Sequence, residues 1–443
     1  MSTHQPTAAK GGKLRAPAFF AVMAVLIVIE GLSTGWNGAL GILNMGLISA
    51  ILALGVNMQW GYAGLFNTGV VGFIALGGLA PVLVAMPPTA GAMAAGGWRI
   101  LGALVIAGAV LIAAVWLNGR LKGRAKAAAM IATLVAGFFV YRAVLDPAVD
   151  AVQAINPSAL GYLGGLGLPV LLAWPVGAAL AAGAAWLVGK TALGLRSDYL
   201  AVATLGIGEI IVAVLKNEEW LDRGVLNVNG IPRPWPVPYE IDLQNSADFV
   251  ARAAKLGLDP VTASTIFVKL LYAGLFATVL ALLLIGAQLA LKSPWGRMMR
   301  AIRDNEIAAA AMGKNVTRRH LQIFVLGAAV IGLAGAMMIS LDGQMTPASY
   351  NPLRYTFLIW VMVIVGGSGN NWGSVLGGLL IWYLWIKAEA WGPEIMAMIT
   401  AHLGEGAFKQ HLVDSAAHMR LIVMGLVLIL VLRFSPRGLL PER

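Results

Sequence analysis

Few side chains in this sequence have the types and spacing that a chemical step requires. The nearest approach to a phosphate-binding loop is GAAWLVGKT at residues 183–191, which ends in Gly-Lys-Thr. Such a loop cradles phosphates with backbone N–H groups and needs four residues between its two glycines. Here five residues separate them, and the stretch ends an apolar segment instead of following a soluble strand. We therefore expect that this chain does not hydrolyse ATP, is not an enzyme and has no catalytic residue.

The residues that could perform acid–base chemistry or bind a metal are isolated from one another in the sequence. Glu209 is the carboxylate that lies well inside an apolar stretch, YLAVATLGIGEIIVAVL, where it could relay protons, pair with a neighbouring helix or cap an unwound turn. Carriers driven by protons or sodium usually place several ionisable groups in the membrane. His402, His411 and His418 lack the close spacing of metal ligands, and cysteine is absent. We predict no metal site and no cofactor in this chain.

Two uncharged segments combine many glycines with amide side chains. GYAGLFNTGVVGFIALGG at 61–78 contains Asn67 and Thr68, and GGSGNNWGSVLGG at 366–378 contains the Asn pair at 370–371. Glycine permits both close helix packing and a break in a helix, and amides can satisfy the backbone groups that a break frees. The amides favour breaks, which in transporters often mark the translocation path.

Composition indicates which elements must hold these residues. The chain has 443 residues, 59% hydrophobic and 12% charged, whereas globular domains carry roughly 25% charged residues. No charged residue occurs between Gly31 and Trp98, and one bilayer crossing needs about 20 apolar residues. Helices satisfy their own backbone groups in lipid. We predict an all-α, polytopic transmembrane helix bundle of about 10–12 spans, some discontinuous. The candidate centres lie near residues 25, 48, 77, 108, 135, 178, 207, 278, 331, 361, 382 and 426.

The distribution of charge predicts orientation. The net charge is +11, and most basic residues fall in segments that are cytoplasmic if the N-terminus is inside. These segments are 1–16, 118–126, 190–198, 292–319 and 433–443. Such an asymmetry is typical of inner-membrane proteins and requires no nucleic acid. The predicted divisions are a cytoplasmic N-terminal tail at 1–16, a transmembrane domain at 17–434 and a cytoplasmic C-terminal tail at 435–443.

Two loops of the transmembrane domain are long. The external loop at 217–262 contains LNVNGIPRPWPVPYE, whose prolines prevent a regular helix. The cytoplasmic loop at 292–319 contains AIRDNEIAAAAMGKNVTRRH, which is polar for so apolar a chain.

The cytoplasmic loop carries signals for a short helix of its own. Asp304 or Asn305 can cap it, Glu306 falls in its first turn, Gly313 fits the position after its end, and Thr317 can cap the next membrane helix. An anchored interfacial helix would show the same signals. Because the chain has neither an ATP loop nor a series of proton-relay groups, a docking helix for a separate motor explains them better.

The sequence resembles the inner-membrane permeases of bacterial ABC importers, of the high-affinity branched-chain amino-acid type and specifically the longer M-type subunit. The stretches that carry the resemblance are GYAGLFNTGVVGFIALGG at 61–78, RSDYLAVATLGIGEIIVAVL at 196–215, SPWGRMMRAIRDNEIAAAAMGKNVTRRHLQIFVLGAAVIGLAGAM at 293–337 and the terminal RFSPRGLLPE. Two departures stand out. The first stretch lacks the histidine common in the family, and Gly313 follows Glu306 by seven residues where the general coupling signature has six.

The resemblance implies a heteromeric importer in a bacterial inner (plasma) membrane, with both termini of this chain cytoplasmic. A second homologous permease subunit would complete the path, two cytoplasmic ABC ATPases would use ATP and Mg, and a periplasmic solute-binding protein would deliver the substrate. The substrate would be leucine, isoleucine and valine, or a related small amide-type solute such as urea. The predicted ATPase contact is Arg300, Arg303, Asn305, Glu306, Ala309 and Gly313. The candidates for the path are Asn67, Thr68, Tyr199, Thr204 and Glu209.

Two alternatives remain open at the level of sequence. One is an ion-coupled secondary carrier with Glu209 as its proton site, and the other is a passive channel lined by the glycine-rich segments.

Overall fold

The computed structural model of this chain describes residues 15–157, 160–195, 197–401 and 406–442. The predicted N-terminal tail therefore lies outside the described residues except at its end, as does His402. The longer helices of the first half are α1 (Arg15–Ser33), α2 (Trp36–Ala63), α3 (Val70–Ala85), α4 (Trp98–Arg120), α5 (Gly123–Gln153), α6 (Val170–Ala192) and α7 (Ser197–Asn217). Three short helices follow: α8 (Glu219–Asp222), α9 (Glu240–Gln244) and α10 (Ala247–Lys255).

The second half repeats this mixture of long and short helices. It comprises α11 (Pro260–Lys292), α12 (Pro294–Asp304), α13 (Glu306–Ala311), α14 (Val316–Asp342), α15 (Leu358–Gly366), α16 (Asn371–Thr400), α17 (Ala407–Asp414) and α18 (Met419–Phe434). The strands are β1 (Val228–Asn229) and β2 (Gln344–Met345), which pair antiparallel.

The predicted all-α membrane bundle is confirmed. Within the described ranges, eight helices are long and apolar enough to cross a bilayer, or nine if α17 and α18 form one bent span. This number is lower than the predicted 10–12. The difference arises because the expected centres near 77 and 361 fall on short apolar helices, Val70–Ala85 and Arg354–Gly366. In addition, α16 at the expected centre near 382 is not among the eight, and the centre near 426 belongs to the bent pair. Both short helices adjoin a glycine-rich break.

The centre of the bundle is formed by α2, α3, α6, α14 and α16, which pack on one another. Glycine allows the closest of these contacts. A Cβ at Gly77 would lie 1.9 Å from the carbonyl oxygen of Gly332, and one at Gly177 would lie 2.9 Å from the carbonyl oxygen of Gly77. The backbones of α3, α6 and α14 therefore touch directly, as small residues allow in membrane helices.

Helices α4 and α5 form a hairpin at the side of this centre. Their shared contact buries Ile100 and Leu145 and also holds Trp220 from α8. The opposite faces expose large apolar residues such as Val105 and Phe139. Such faces can contact lipid or another membrane subunit, because contact of apolar surface with either has no free-energy cost of the kind that water imposes.

The predicted external loop at 217–262 follows the sequence expectation in its proline-rich part. Residues 230–239 contain no helix, and the preceding strand β1 pairs with β2 at the end of α14. The loop also contains the short helices α8, α9 and α10, which the sequence pattern does not predict. Asp259 caps α11, since its carboxylate accepts the N–H of Thr262 at 2.9 Å.

We expect the stability of this loop to depend on pH through Asp222. Its side chain is fully buried, one oxygen accepts the N–H of Gly224 at 3.1 Å, and burial raises the pKa of the carboxyl to about 7. The folded chain thus keeps a proton that the unfolded chain loses near the ordinary pKa of 3.8. The stabilisation is complete below about pH 4 and is lost as the pH rises through about 7.

Hydrogen exchange of residues 219–226, corrected for intrinsic rates, measures this effect. The free energy of opening obtained from the exchange rates should fall by on the order of 4 kcal/mol between pH 4 and pH 8, since one pKa unit corresponds to about 1.4 kcal/mol. Asp222→Asn should remove most of the dependence. Equal pH dependence in the wild-type chain and the variant would contradict the assignment.

Candidate functional site

Both glycine-rich segments break the helices in which they lie, as the sequence predicts. The first break separates α2 from α3, and Gly64 begins it with φ +69°. The second separates α15 from α16, where Gly367 and Gly369 have φ +117° and +82°. These left-handed conformations favour glycine. The amide of Asn67 stabilises the first break by accepting the N–H of Gly69 at 2.9 Å.

The two breaks contact each other through Asn57, a fully buried residue of α2. Its Oδ1 accepts the N–H of Gly369 at 2.8 Å, and its amide nitrogen donates to Oδ1 of Asn371 at 3.1 Å. A Cβ at Gly61 would lie 2.5 Å from the backbone nitrogen of Gly369. The end of α2 and the start of α16 are therefore joined by buried hydrogen bonds, which are costly to break.

Arg303, at the end of α12, joins the helices of the predicted cytoplasmic loop to this contact. Its guanidinium donates to the carbonyl oxygen of Gly61 and, at 2.8 Å, to the carboxylate of Glu442 beyond the end of α18. The amide of Asn370 donates to the carbonyl oxygen of Leu440 at 3.1 Å. We call Arg303, Gly61, Gly369 and Glu442 the Arg303 junction, because both breaks, α12 and the C-terminal segment meet there.

The short helix predicted in the cytoplasmic loop is present as α13. Asn305 caps it, since its Oδ1 accepts the N–H of Ala308 at 2.9 Å. Glu306 lies in the first turn and Gly313 follows the end with φ +76°. The next membrane helix is capped by Asn315, not by Thr317 as predicted, because Oδ1 of Asn315 accepts the N–H of Arg318.

The exposed surface of α13 differs in part from the predicted contact. Ala309 is buried against Ile302 and Val316, so it packs on its own chain and is unsuited to a partner contact. Ile307 and Met312, which are not among the predicted contact residues, are 83% and 80% exposed. Their exposure could have been suspected from the sequence, because these two apolar side chains flank the run of alanines in an otherwise polar loop.

Arg300, one turn before Arg303 on α12, lines an open groove of about 610 Å³ that also borders the second break. Arg15, Lys292 and Glu442 also line the groove. Residues from three of the five segments predicted to be cytoplasmic thus lie at one end of the bundle.

Three of the five path candidates lie together beside the first break. The backbone N–H of Thr68 donates to the hydroxyl of Thr204 at 3.1 Å, and Thr204 and Asn67 are almost fully buried. Tyr199 and Glu209 instead lie on the exposed face of α7, and Tyr199 is 65% exposed. The structure does not bring these two residues to the break.

Comparison with known proteins identifies relatives. A family described as "Branched-chain amino acid transport system / permease component" matches residues 148–432. The high-affinity branched-chain amino acid transport system permease protein LivM of Escherichia coli (strain K12) is 28% identical over 294 residues, which cover 66% of this chain and 61% of the relative. The match therefore spans less than two thirds of that protein's length.

More distant relatives match shorter stretches. The probable branched-chain amino acid transport permease protein LivM of Methanocaldococcus jannaschii is 25% identical over 153 residues, covering 34% of this chain and 41% of its own. The fructose import permease protein FrcC of Rhizobium meliloti is 29% identical over 94 residues, covering 20% and 26%. No solved structure matches the chain significantly.

Proposed function

Since this chain belongs to the family of branched-chain amino acid transport system permease components, we propose that it is the permease subunit of an ATP-driven ABC importer. In that role it forms half of the translocation path for leucine, isoleucine and valine. The observation that carries the proposal is the Arg303 junction, which connects an exposed docking helix to both broken helices.

The proposed coupling follows from these contacts. A motor bound to Ile307 and Met312 pulls on α13, and α12 transmits the movement because the two helices pack on each other. The guanidinium of Arg303 then shifts relative to Gly61 and Glu442. Because the two breaks contact each other, both change conformation together. The motor thus acts on the translocation path through a coupling free energy between the two sites.

The remaining subunits are inferred from the surfaces of this chain and from its relatives. Two cytoplasmic ABC ATPases supply the motor and use ATP and Mg. A second homologous permease subunit covers apolar faces such as that of α7, and a periplasmic solute-binding protein docks on the predicted external loops. A small amide-type solute, such as urea, is the alternative substrate.

The ion-coupled carrier and the passive channel have less support. A proton relay needs a chain of groups across the membrane. Glu209 lies on the exposed face of α7 and forms no salt bridge or side-chain hydrogen bond with another of the described residues.

Uptake by cells tests the proposed substrate. Deletion of the gene should abolish high-affinity uptake of labelled leucine, and restoring the gene should recover it. Isoleucine and valine should compete with leucine, while urea and fructose should not. Competition by urea alone would assign the amide-type solute, and unchanged leucine uptake after deletion would contradict the proposed substrate.

Cysteine labelling tests the proposed orientation, and the natural absence of cysteine makes single substitutions informative. Lys314→Cys, in the exposed loop after α13, should react with a membrane-impermeant maleimide only after the cells are opened. Trp235→Cys, whose parent side chain is 78% exposed, should react in intact cells. The reverse pattern of labelling would contradict an N-terminus on the cytoplasmic side.

A further inference from the structure

A second polar cavity, half open to the surface, lies at a distance from the Arg303 junction. It encloses about 320 Å³ between α2, α11, α14 and α16, which is within the roughly 300–1,000 Å³ typical of small-molecule sites. Asn44 lines it from α2, 13 residues before Asn57. At 1.5 Å per helical residue, about 20 Å of helix separates the two asparagines.

Three charged side chains line this cavity: Lys269, Asp342 and Arg354. Lys269 donates to the carbonyl oxygen of Asn37 at 2.9 Å, and the guanidinium of Arg354 lies 5.1 and 5.8 Å from the rings of Tyr355 and Trp382. No ion pair shorter than 4 Å joins any of the three to another of the described residues. Asp342 is exposed, and Lys269 and Arg354 are half-buried. Charges within a membrane protein's spanning region are costly and are functional candidates by default.

Polar atoms without protein partners occur on the same walls. Asn44 is 1% exposed and Trp382 is 6% exposed. Oδ1 of Asn44, Nε1 of Trp382 and Nε of Arg354 have no hydrogen-bond partner among the described residues. A buried polar atom left unsatisfied costs about 1–3 kcal/mol. The cavity therefore combines one unsatisfied acceptor with two unsatisfied donors.

These groups complement a molecule that carries both an ammonium and a carboxylate. A carboxylate accepts from guanidinium and indole N–H groups, and an ammonium donates to a carboxylate and an amide oxygen. Met45, Leu341 and Tyr355 supply apolar or aromatic wall beside the charges. The cavity has two positive side chains and one negative side chain, so its net charge is positive. We therefore expect the carboxylate of the ligand to contribute more to the affinity than its ammonium.

We propose that this cavity binds the zwitterionic head of an aliphatic α-amino acid, with its carboxylate at Arg354 and its ammonium at Asp342. The choice of an amino acid as ligand rests on the proposed function. The site itself is separate from the motor contact, because it lies at the opposite end of α2 from the Arg303 junction.

Binding to the purified full chain in lipid nanodiscs tests the site without any motor. Calorimetry should detect leucine, and leucine should raise the midpoint of thermal unfolding. Arg354→Gln should weaken leucine binding at least about tenfold, and Arg354→Lys should recover part of it. The matched control is Arg420→Gln, since Arg420 pairs with Glu389 outside the cavity.

Ligand analogues assign the two ends of the molecule. 4-Methylpentanoate lacks the ammonium, so Asp342→Asn should weaken leucine but leave 4-methylpentanoate unchanged. Leucinamide lacks the carboxylate and should bind weakly to the wild-type chain. Leucine binding that none of the cavity variants changes, or the absence of leucine binding to a folded wild-type chain, would overturn the site. Both results are independent of ATP-driven transport, which tests the proposed function separately.

Discussion

Replacing Arg303 with methionine is expected to reduce ATP-driven uptake by between about 5- and 150-fold while the motor remains bound, which is the usual range of a coupling free energy. Methionine keeps an unbranched stem but removes the donors to Gly61 and Glu442. The exposed surface of α13 is unchanged, so docking should persist. The measurement is labelled uptake per bound ATPase, compared with ATP hydrolysis in the same preparation.

Arg297→Met is the matched control for this variant. Arg297 lies on the same helix but is exposed, and its guanidinium donates to the carbonyl oxygen of Lys292 instead of to a break. It should transport at nearly the wild-type rate. Glu442→Gln should show a smaller loss than Arg303→Met, because the contact to Gly61 remains. An uptake rate in Arg303→Met equal to that of the wild type would show that the junction does not couple ATP hydrolysis to transport.

The second large effect is expected at the docking surface. Ile307→Asp combined with Met312→Asp should weaken association with the ATPases by about 30-fold, which corresponds to about 2 kcal/mol, the cost typical of a binding hot spot. Both side chains are more than three-quarters exposed, so the substitutions should leave the bundle folded. Quantitative co-purification from membranes measures the association.

Leu256→Asp provides the control for added charge, since Leu256 is 75% exposed on the predicted external side. It should leave ATPase association unchanged. An equal loss of association in Leu256→Asp would mean that charge disturbs the protein generally, and undiminished association in the double variant would remove α13 as the docking element.

Much of the local structure was predictable because its signals are local. The breaks follow from glycines that adopt positive φ and from amides, such as that of Asn67, that satisfy nearby backbone groups. The short helix α13 follows from its cap at Asn305 and the glycine at 313. Thr317 failed as a cap because Asn315, two residues earlier, offers the same chemistry.

The arrangement of the site was not predictable, because it depends on contacts between distant parts of the chain. Nothing near Asn57 in the sequence indicates that it bonds to residues more than 300 positions away. The row of alanines in α13 also gives no sign of which one faces inward, since their side chains are identical. Arg303 stays a predicted coupling residue, and its contacts with Gly61 and Glu442 lie within this chain.

The measurement that tests the account most directly is labelled leucine uptake into proteoliposomes. One set should contain this chain with its second permease, two ATPases and solute-binding protein, and another should contain this chain alone. We predict uptake that requires both ATP and the ATPases and that survives Glu209→Gln and collapse of the proton gradient. Uptake by this chain alone, driven by a proton gradient and abolished by Glu209→Gln, would contradict the account.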